Sequence, residues 1–326
     1  MGNTTVDQLG GAGGSVAVSA RALSKSFGDT HAVRELSFDA RAGEVTGLLG
    51  PNGAGKTTTI KMLTTLLSID SGTASIVGID VAQRPETVRR VIGLAGQSAA
   101  VDEKLTAREN LELFGRLYKI PSAERTKRID YLIDRFELTG FANRVAETYS
   151  GGQRRRLDVV ASLIASPPVL FLDEPTTGLD PHTRTELWGE IRDLAVQGTA
   201  VVLTTQYLEE ADRLSDSIVI IDEGVMKASG TSGDLKRNLE RDVLEVHVVT
   251  SEDLPQAAEA VARLGVAATS DPEGTRLQVP LTGGARQSLS ILRALDADGV
   301  GVADFQLRKP TLDDVFLAMT SGGGGP

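Results

Sequence analysis

The run Gly50-Pro51-Asn52-Gly53-Ala54-Gly55-Lys56-Thr57 matches the spacing G-x-x-x-x-G-K-[ST] without a substitution, and Thr58 continues it. Each residue type has a use at that spacing. Glycines let the backbone turn its N–H groups inward around phosphate oxygens, and a helix beginning at the end of the loop adds the positive end of its dipole. Lys56 is placed to reach β- and γ-phosphates, and the Thr57 hydroxyl to ligate Mg²⁺. Further along, the apolar run Val169-Leu170-Phe171-Leu172 delivers two adjacent carboxylates, Asp173 and Glu174. An acid at such a strand end is what a nucleoside-triphosphate site needs for its Mg²⁺. Between the two lies Ser150-Gly151-Gly152-Gln153, which reads as a second anion-binding helix start. The Arg154-Arg155-Arg156 run behind it reads mostly as a solvated helix face.

These residues need elements to position them. Val45–Leu49 is a short apolar run without helical periodicity, hence a buried strand, and Ile60, Met62, Leu63 and Leu66 begin an amphipathic helix. Strand, loop and helix therefore follow in the order the motif requires. Ahead of them, strands at 16–18 and 36–40 flank a turn at Gly28-Asp29. Phe27, just before that turn, is either a core aromatic or a platform for an adenine ring. A strand at 73–77 follows the turn Asp70-Ser71-Gly72, and another at 91–94 ends at Gly96-Gln97. Residues 106–141 carry apolar side chains at helical intervals, broken at Pro121-Ser122, with Ser122 as the expected N-cap. The rest of the first domain is a helix around 186–194, a strand at 200–204 ending at Thr205-Gln206, and a strand at 218–221. The expected fold class is α/β: a mixed sheet around the P-loop over 16–235, with a helical subdomain at about 98–165.

From about residue 241 the periodicity changes. Strand 243–249, helix 254–264, strands 266–269 and 276–279 about a turn at 272–274, helix 289–295 and strand 302–307 give the order β-α-β-β-α-β, with a final helix at 312–319. This is a small α+β domain over 241–320 without a catalytic constellation. His247 is read as a strand residue. Residues 1–15 and 321–326 are Gly-rich and expected to be disordered.

Composition narrows the function. The chain has 326 residues, 40% of them hydrophobic and 24% charged, and 34 Lys plus Arg against 44 Asp plus Glu give a formal net charge of −10. An acidic balance argues against non-specific nucleic-acid binding. With no cysteine, neither disulfides nor thiolate metal sites are possible. No apolar run approaches the ~20 residues needed to span a bilayer, and the N-terminus lacks the character of a signal peptide. The expectation is a cytosolic polypeptide whose membrane role comes through a partner.

Taken together, the P-loop, Gln97, Ser150-Gly151-Gly152-Gln153, Asp173-Glu174 and Gly178-Leu179-Asp180 resemble an ATP-binding-cassette ATPase over roughly residues 16–235. The C-terminal unit, the string 203–212 and the string 312–320 are similar to the daunorubicin-resistance subfamily of drug and lipid exporters. The resemblance implies a nucleotide-binding subunit, peripheral on the cytoplasmic side of the membrane, that dimerises head to tail around two ATP molecules and serves a separate integral membrane permease. Each ATP would meet Phe27, Gly50–Thr58, Gln97, Asp173, Glu174 and Gln206 of one chain, and Ser150, Gly151, Gly152 and Gln153 of the other, with Asp180 in the adjoining loop. Glu174 would polarise the attacking water, and Gln97 would complete the Mg²⁺ shell. Two positions depart from the broad family. Tyr149 stands where leucine is common, a packing position. Gln206 stands where most of these ATPases carry a histidine, and an amide cannot carry a proton at neutral pH.

Two other classes fit the residues less well. A soluble ATPase of the same family acting on nucleic acid or the ribosome typically has paired cassettes, long coiled coils or basic linkers, and this chain has one cassette, no sustained heptads and an acidic balance. A small-molecule kinase would explain neither the second glycine-rich signature nor Gln97.

Overall fold

The computed structural model describes residues 14–97, 100–239, 242–271 and 274–320. Of the sequence expectations, the Gly-rich ends (apart from residues 14 and 15), the first two residues of the helical subdomain, the start of the C-terminal domain at 241 and residues 272 and 273 of its turn lie outside the described residues. The chain divides into two compact units, Met1–Ser232 and Gly233–Pro326.

In the first unit a six-stranded sheet runs Val225–Gly230, Ser217–Asp222, Val45–Leu49, Ala200–Thr205, Val169–Asp173, Ile92–Ala95. The last five of these are mutually parallel, and Val225–Gly230 lies antiparallel at the edge. The strands Val45–Leu49, Val169–Asp173 and Ala200–Thr205 are buried at every position, as continuous apolar runs in a sheet covered on both faces must be. Alternation along one strand feeds two cores. Val169 and Phe171 enter a core with the P-loop helix residues Ile60, Met62 and Leu63 and with Val18, Leu23 and Leu36. Leu170 and Leu172 enter the other, with Leu111, Ile129, Leu132, Phe136 and Leu157. A second, antiparallel sheet is made of Thr30–Arg41, Val16–Phe27, Ser71–Ile76 and Ile79–Asp80, longer in its first two strands than the sequence pattern showed.

The helical layer contains Ala107–Leu117, Ser122–Arg135 and Gly151–Ser162. Thr106 begins the first with a capping box: its hydroxyl accepts from Glu109 N while the Glu109 carboxylate accepts from Thr106 N. Ser122, expected as the next N-cap, is instead the first helical residue. The carbonyl of Pro121 already accepts the first intrahelical bond, from Arg125 N at 2.8 Å, so the proline is the cap residue and has no side-chain oxygen to offer.

The second unit has a four-stranded antiparallel sheet in the order Thr269–Ser270, Arg276–Leu281, Asp242–Val248, Val302–Arg308. With helices Leu254–Ala262 and Gly284–Ala297 between strands, the element order is β-α-β-β-α-β, and Leu312–Thr320 closes the unit. The strand expected at 266–269 shrinks to Thr269–Ser270, which pair with Gln278 and Leu277. Val266 and Ala268 pack against the core without joining the ladder, so apolar alternation there marks burial rather than pairing.

One buried carboxylate of the first unit is out of balance. Glu190, on the helix Pro181–Val196, has an oxygen without a hydrogen-bond partner. Its carboxyl is pushed up to about 7, first by burial, then by Glu186 and Glu137, against the opposing pull of Arg156 at 3.6 Å and of Arg135. A carboxyl raised in the folded state favours folding fully only below its unfolded pKa of about 4.5, and that contribution is lost as pH rises through about 7. Glu190→Gln is therefore expected to gain about 1–3 kcal/mol over the parent at pH 8 relative to pH 5. Denaturant unfolding of both proteins at the two pH values checks this, and parallel profiles would contradict it.

Candidate nucleotide site

The parallel register brings strand ends level. Leu49 pairs with Thr205, and Asp173 with Thr204, so the residues that follow each strand emerge on one edge of the sheet. The P-loop turns there through Gly53 and Gly55, both at positive φ. A Cβ on Gly55 would lie 2.3 Å from the Ala32 carbonyl oxygen, so the loop needs glycine there for conformation and for space. The helix Lys56–Leu63 starts at once.

Asn52, Gly53, Ala54, Gly55, Lys56, Thr57, Thr58, Gln97 and Glu174 line one cleft together with Ala32. Lys56 is almost fully buried; its ammonium donates to the carbonyls of Gly50 (2.7 Å) and Pro51 (3.0 Å) and lies 3.6 Å from a Glu174 oxygen. Burial lowers its pKa, and the Glu174 charge acts in the opposite direction. Thr57 Oγ1 donates to Asp173 Oδ1 at 3.0 Å and accepts from Gln97 Nε2 at 3.1 Å. The hydroxyl, carboxylate and amide expected to share a Mg²⁺ are thus in contact, and such oxygen donors suit a small hard cation. Glu174 has φ 50°, a left-handed conformation that costs a non-glycine residue about 1–2 kcal/mol. Its N–H is held by both the carbonyl (3.2 Å) and the hydroxyl (2.9 Å) of Thr204.

Gln206 directly follows Thr205, whose carbonyl accepts from Gly50 N and whose hydroxyl accepts from Tyr207 N. Threonine, not Gln206, therefore satisfies the strand end. Phe27 is 49% exposed at the end of its hairpin strand, so the core reading does not hold. Ser150 caps the helix Gly151–Ser162 in a reciprocal box with Gln153, its hydroxyl oxygen accepting from Gln153 N at 3.2 Å. Asp180 caps the helix Pro181–Val196 by accepting from Thr183 N and Thr183 Oγ1, and those bonds hold its carboxyl below the usual range. The described lining of the cleft contains none of Ser150, Gly151, Gly152, Gln153 or Asp180. Tyr149 packs, as its position implied, edge-on to Phe141 at 4.9 Å, its hydroxyl donating to the Phe141 carbonyl.

The solvated-face reading of the arginine run does not stand. Arg155 is buried against the backbone of Gly96, Asp173 and Pro175, and Arg156 pairs with Glu186 and Glu190, because this helix packs into the core on the side that carries them. Sequence reasoning also missed Thr204. It is fully buried and donates to Asp173 Oδ1 at 2.6 Å, and its only sequence signal is a threonine pair ending an apolar strand.

A P-loop sheet with this helical layer and these convergent residues defines an ATP-binding cassette. Residues 33–177 match the family model described as ABC transporter, and residues 230–320 match that of the ATP-binding protein DrrA1-3-like, C-terminal domain. The chain is 46% identical to the daunorubicin resistance ATP-binding protein DrrA2 of Streptomyces coeruleorubidus, over 93% of this chain and 95% of that one. It is 37% identical to the Nod factor export ATP-binding protein I of Sinorhizobium fredii, over 94% and 86% of the two chains. Among solved structures, an ATP-binding subunit of an ABC transporter superposes with a TM-score of 0.63 at 32% identity, covering 68% of this chain and 92% of that one. A cassette solved as a dimer in a post-hydrolysis state with ADP and Pi gives a TM-score of 0.60 at 26% identity, covering 66% and 98%. The chain belongs to the ATP-binding subunits of ABC transporters, in the group of the daunorubicin- and doxorubicin-resistance ATP-binding proteins. Its activity is ATP hydrolysis coupled to transport.

Thr204 gives this site a test. Thr204→Val keeps the volume but leaves a buried carboxylate oxygen and the Glu174 N–H each short of a partner, which should cost about 1–3 kcal/mol of stability. Turnover should fall with it, while Thr204→Ser restores both. Thermal unfolding and steady-state ATPase rates measure the two effects. A valine variant with parental stability and turnover would remove Thr204 from the site.

Proposed function

We propose that two copies of this chain close head to tail on two Mg²⁺–ATP and drive export of a hydrophobic drug, antibiotic or lipid through a separate integral membrane permease. The observation that carries this reading is the division of the expected residues. Lys56, Thr57, Gln97 and Glu174 line one cleft, and Asp173 accepts from Thr57 behind it. The Ser150–Gln153 helix start does not line that cleft, and Ser150 and Gly151 are exposed, as a surface for a second copy's nucleotide would be. The relative solved as a dimer with ADP and Pi supports the paired form, and the names of the daunorubicin-resistance and Nod factor export relatives support a role in export.

In this arrangement Lys56 supplies fixed positive charge to the β- and γ-phosphates. A Mg²⁺ held by Thr57, Asp173 and Gln97 would neutralise developing charge on the phosphate oxygens. Glu174 accepts a hydrogen bond from the attacking water and holds it in line, while the Gln206 amide donates to the γ-phosphate. Phe27, exposed at its hairpin end, offers an apolar face to the adenine, and Asp180 fixes the loop that follows Glu174. From the second copy, Ser150 has its hydroxyl proton available, because its oxygen serves the cap as acceptor only. The backbone N–H groups of Gly151 and Gly152 are orphan donors of the same helix start.

No helix among the described residues is long and apolar enough to cross a membrane. Permease contact falls to a groove lined by Arg89, Arg90, Phe114, Leu117 and Tyr118, where Leu117 is 67% exposed. An apolar patch rimmed by arginine on an acidic chain suits a cytoplasmic segment of a membrane protein beside anionic headgroups. The chain would then sit peripherally on the cytoplasmic face.

Glu174→Gln is expected to bind ATP but stall, giving an ATP-dependent dimer by light scattering. Normal turnover in that variant would contradict its role with water. For Gln206→Ala, kcat should fall by roughly 100-fold with little change in ATP affinity, as for another lost oxyanion donor. Gln206→His should keep substantial activity and acquire a pH dependence near about 6.5. Parental turnover by the alanine variant would leave Gln206 without a part in hydrolysis.

A further inference from the structure

Arg155 and Asp158 lie one helical turn apart on the helix that Ser150 caps; Asp158 is buried and Arg155 mostly so, with side-chain exposures of 1% and 11%. Neither faces the nucleotide cleft. Arg155 spends four of its five N–H donors on fixed partners. Nε donates to the Pro175 carbonyl at 2.9 Å, Nη2 to the Asp173 carbonyl at 2.9 Å, and Nη1 to the Gly96 carbonyl and to Asp158 Oδ2 at 3.2 Å. Asp158 Oδ1 in turn accepts from Ala100 N at 2.7 Å.

The partners share one property. Asp173 and Pro175 are the residues on either side of Glu174, and Gly96 immediately precedes Gln97, with Ala100 three residues beyond it. A single buried ion pair therefore holds the backbone around both the water-positioning carboxylate and the cation-binding amide of the proposed site. A lysine could not do this, because it lacks the planar fork that spans three carbonyls. Burial disfavours the charge on each member, lowering the arginine and raising the aspartate, and their mutual attraction offsets it. Such pairs rarely add net stability over apolar side chains of equal volume, so stability alone does not account for the arrangement.

We infer that Arg155, with Asp158, is a positioning residue for ATP hydrolysis. It sets Glu174 and Gln97 from the helix whose first turn meets the second copy's nucleotide, so that closure on one ATP is felt at the other site. The inference rests on the proposed roles of Glu174, Gln97 and Ser150–Gln153. A displacement of about 1 Å at a reacting group costs up to about 100-fold in rate, which is the scale on which such a clamp acts.

The test uses the purified full chain. Arg155→Lys keeps a cation beside Asp158 but loses the fork; kcat should fall roughly 10- to 100-fold while the Kd for ATP stays within about twofold. Because Gln97 is displaced, the Mg²⁺ concentration for half-maximal activity should rise as well, which a residue serving only the fold would not cause. Should the lysine variant fail to fold, the double variant Arg155→Met with Asp158→Leu fills the same space without charge and is measured in the same way. In the Glu174→Gln background, Arg155→Lys should still give the ATP-dependent dimer, since the signature turn is intact. Parental kcat and Mg²⁺ dependence, or loss of rate in proportion to lost ATP binding and dimerisation, would overturn the positioning role. Normal turnover by Glu174→Gln itself would instead overturn the site reading on which it stands.

Discussion

The Asp173 carboxylate holds the nucleotide site together. It is 3% exposed, and an unpaired buried carboxylate would cost several kcal/mol. Oδ1 accepts hydrogen bonds from the hydroxyls of Thr57 and Thr204, and the main-chain carbonyl of Asp173 accepts one from Arg155. The P-loop helix, the strand before Gln206 and the signature helix are thereby tied to one residue. Each donor removed takes one hydrogen bond from this buried residue, so the three segments are constrained together rather than pairwise. The parallel register of Val45–Leu49, Ala200–Thr205 and Val169–Asp173 makes this possible, because it brings three strand ends level before any side chain bonds.

What was legible in the sequence was what local chemistry dictates. The P-loop is readable because Gly53 and Gly55 need positive φ and Gly55 needs space, whatever packs elsewhere. Asp173 and Glu174 are readable because an apolar run of four must be buried and must end in something polar. The order of elements in the C-terminal unit follows from alternation and helical spacing. Tertiary partners were not legible. The arginine run has the composition of a solvated face, and only the packing of its helix shows Arg155 buried against the backbone of other segments. Val266 alternates like a strand yet finds no ladder, and Thr204 differs from an ordinary strand threonine only through the carboxylate opposite it.

The same logic explains why the string 312–320 is distinctive without being catalytic. Asp314 accepts from Thr311 N and Thr311 Oγ1, and from both terminal nitrogens of Arg308. Arg308 also reaches Glu245 on the neighbouring strand at 3.2 Å. An acid three residues into the turn thus starts the helix Leu312–Thr320 and anchors it to the sheet. Pairing with Arg308 and the threonine bonds keeps the Asp314 carboxyl below its usual range, although burial acts the other way. Leu312 and Val315 are buried on the inner face. These residues are held by helix starting and docking.

In the proposed site, the identity of residue 206 would shift work onto its neighbours. The chain has three histidines, His31, His182 and His247, and none lines the described cleft. Gln206 itself offers an amide that neither gains nor loses a proton near neutrality. If a proton leaves the attacking water during hydrolysis, the groups at hand are the Glu174 carboxylate and the phosphate itself. Glu174 would take the first role: a buried ammonium lies 3.6 Å away, and its strained backbone is fixed by its N–H, which donates to the carbonyl and hydroxyl of Thr204. A carboxylate beside the fixed charge of Lys56 can accept a hydrogen bond from water. A site built in this way gains its rate from positioning and charge stabilisation more than from proton transfer. In the proposed mechanism Arg155 would serve this by holding the carbonyls on both sides of Glu174.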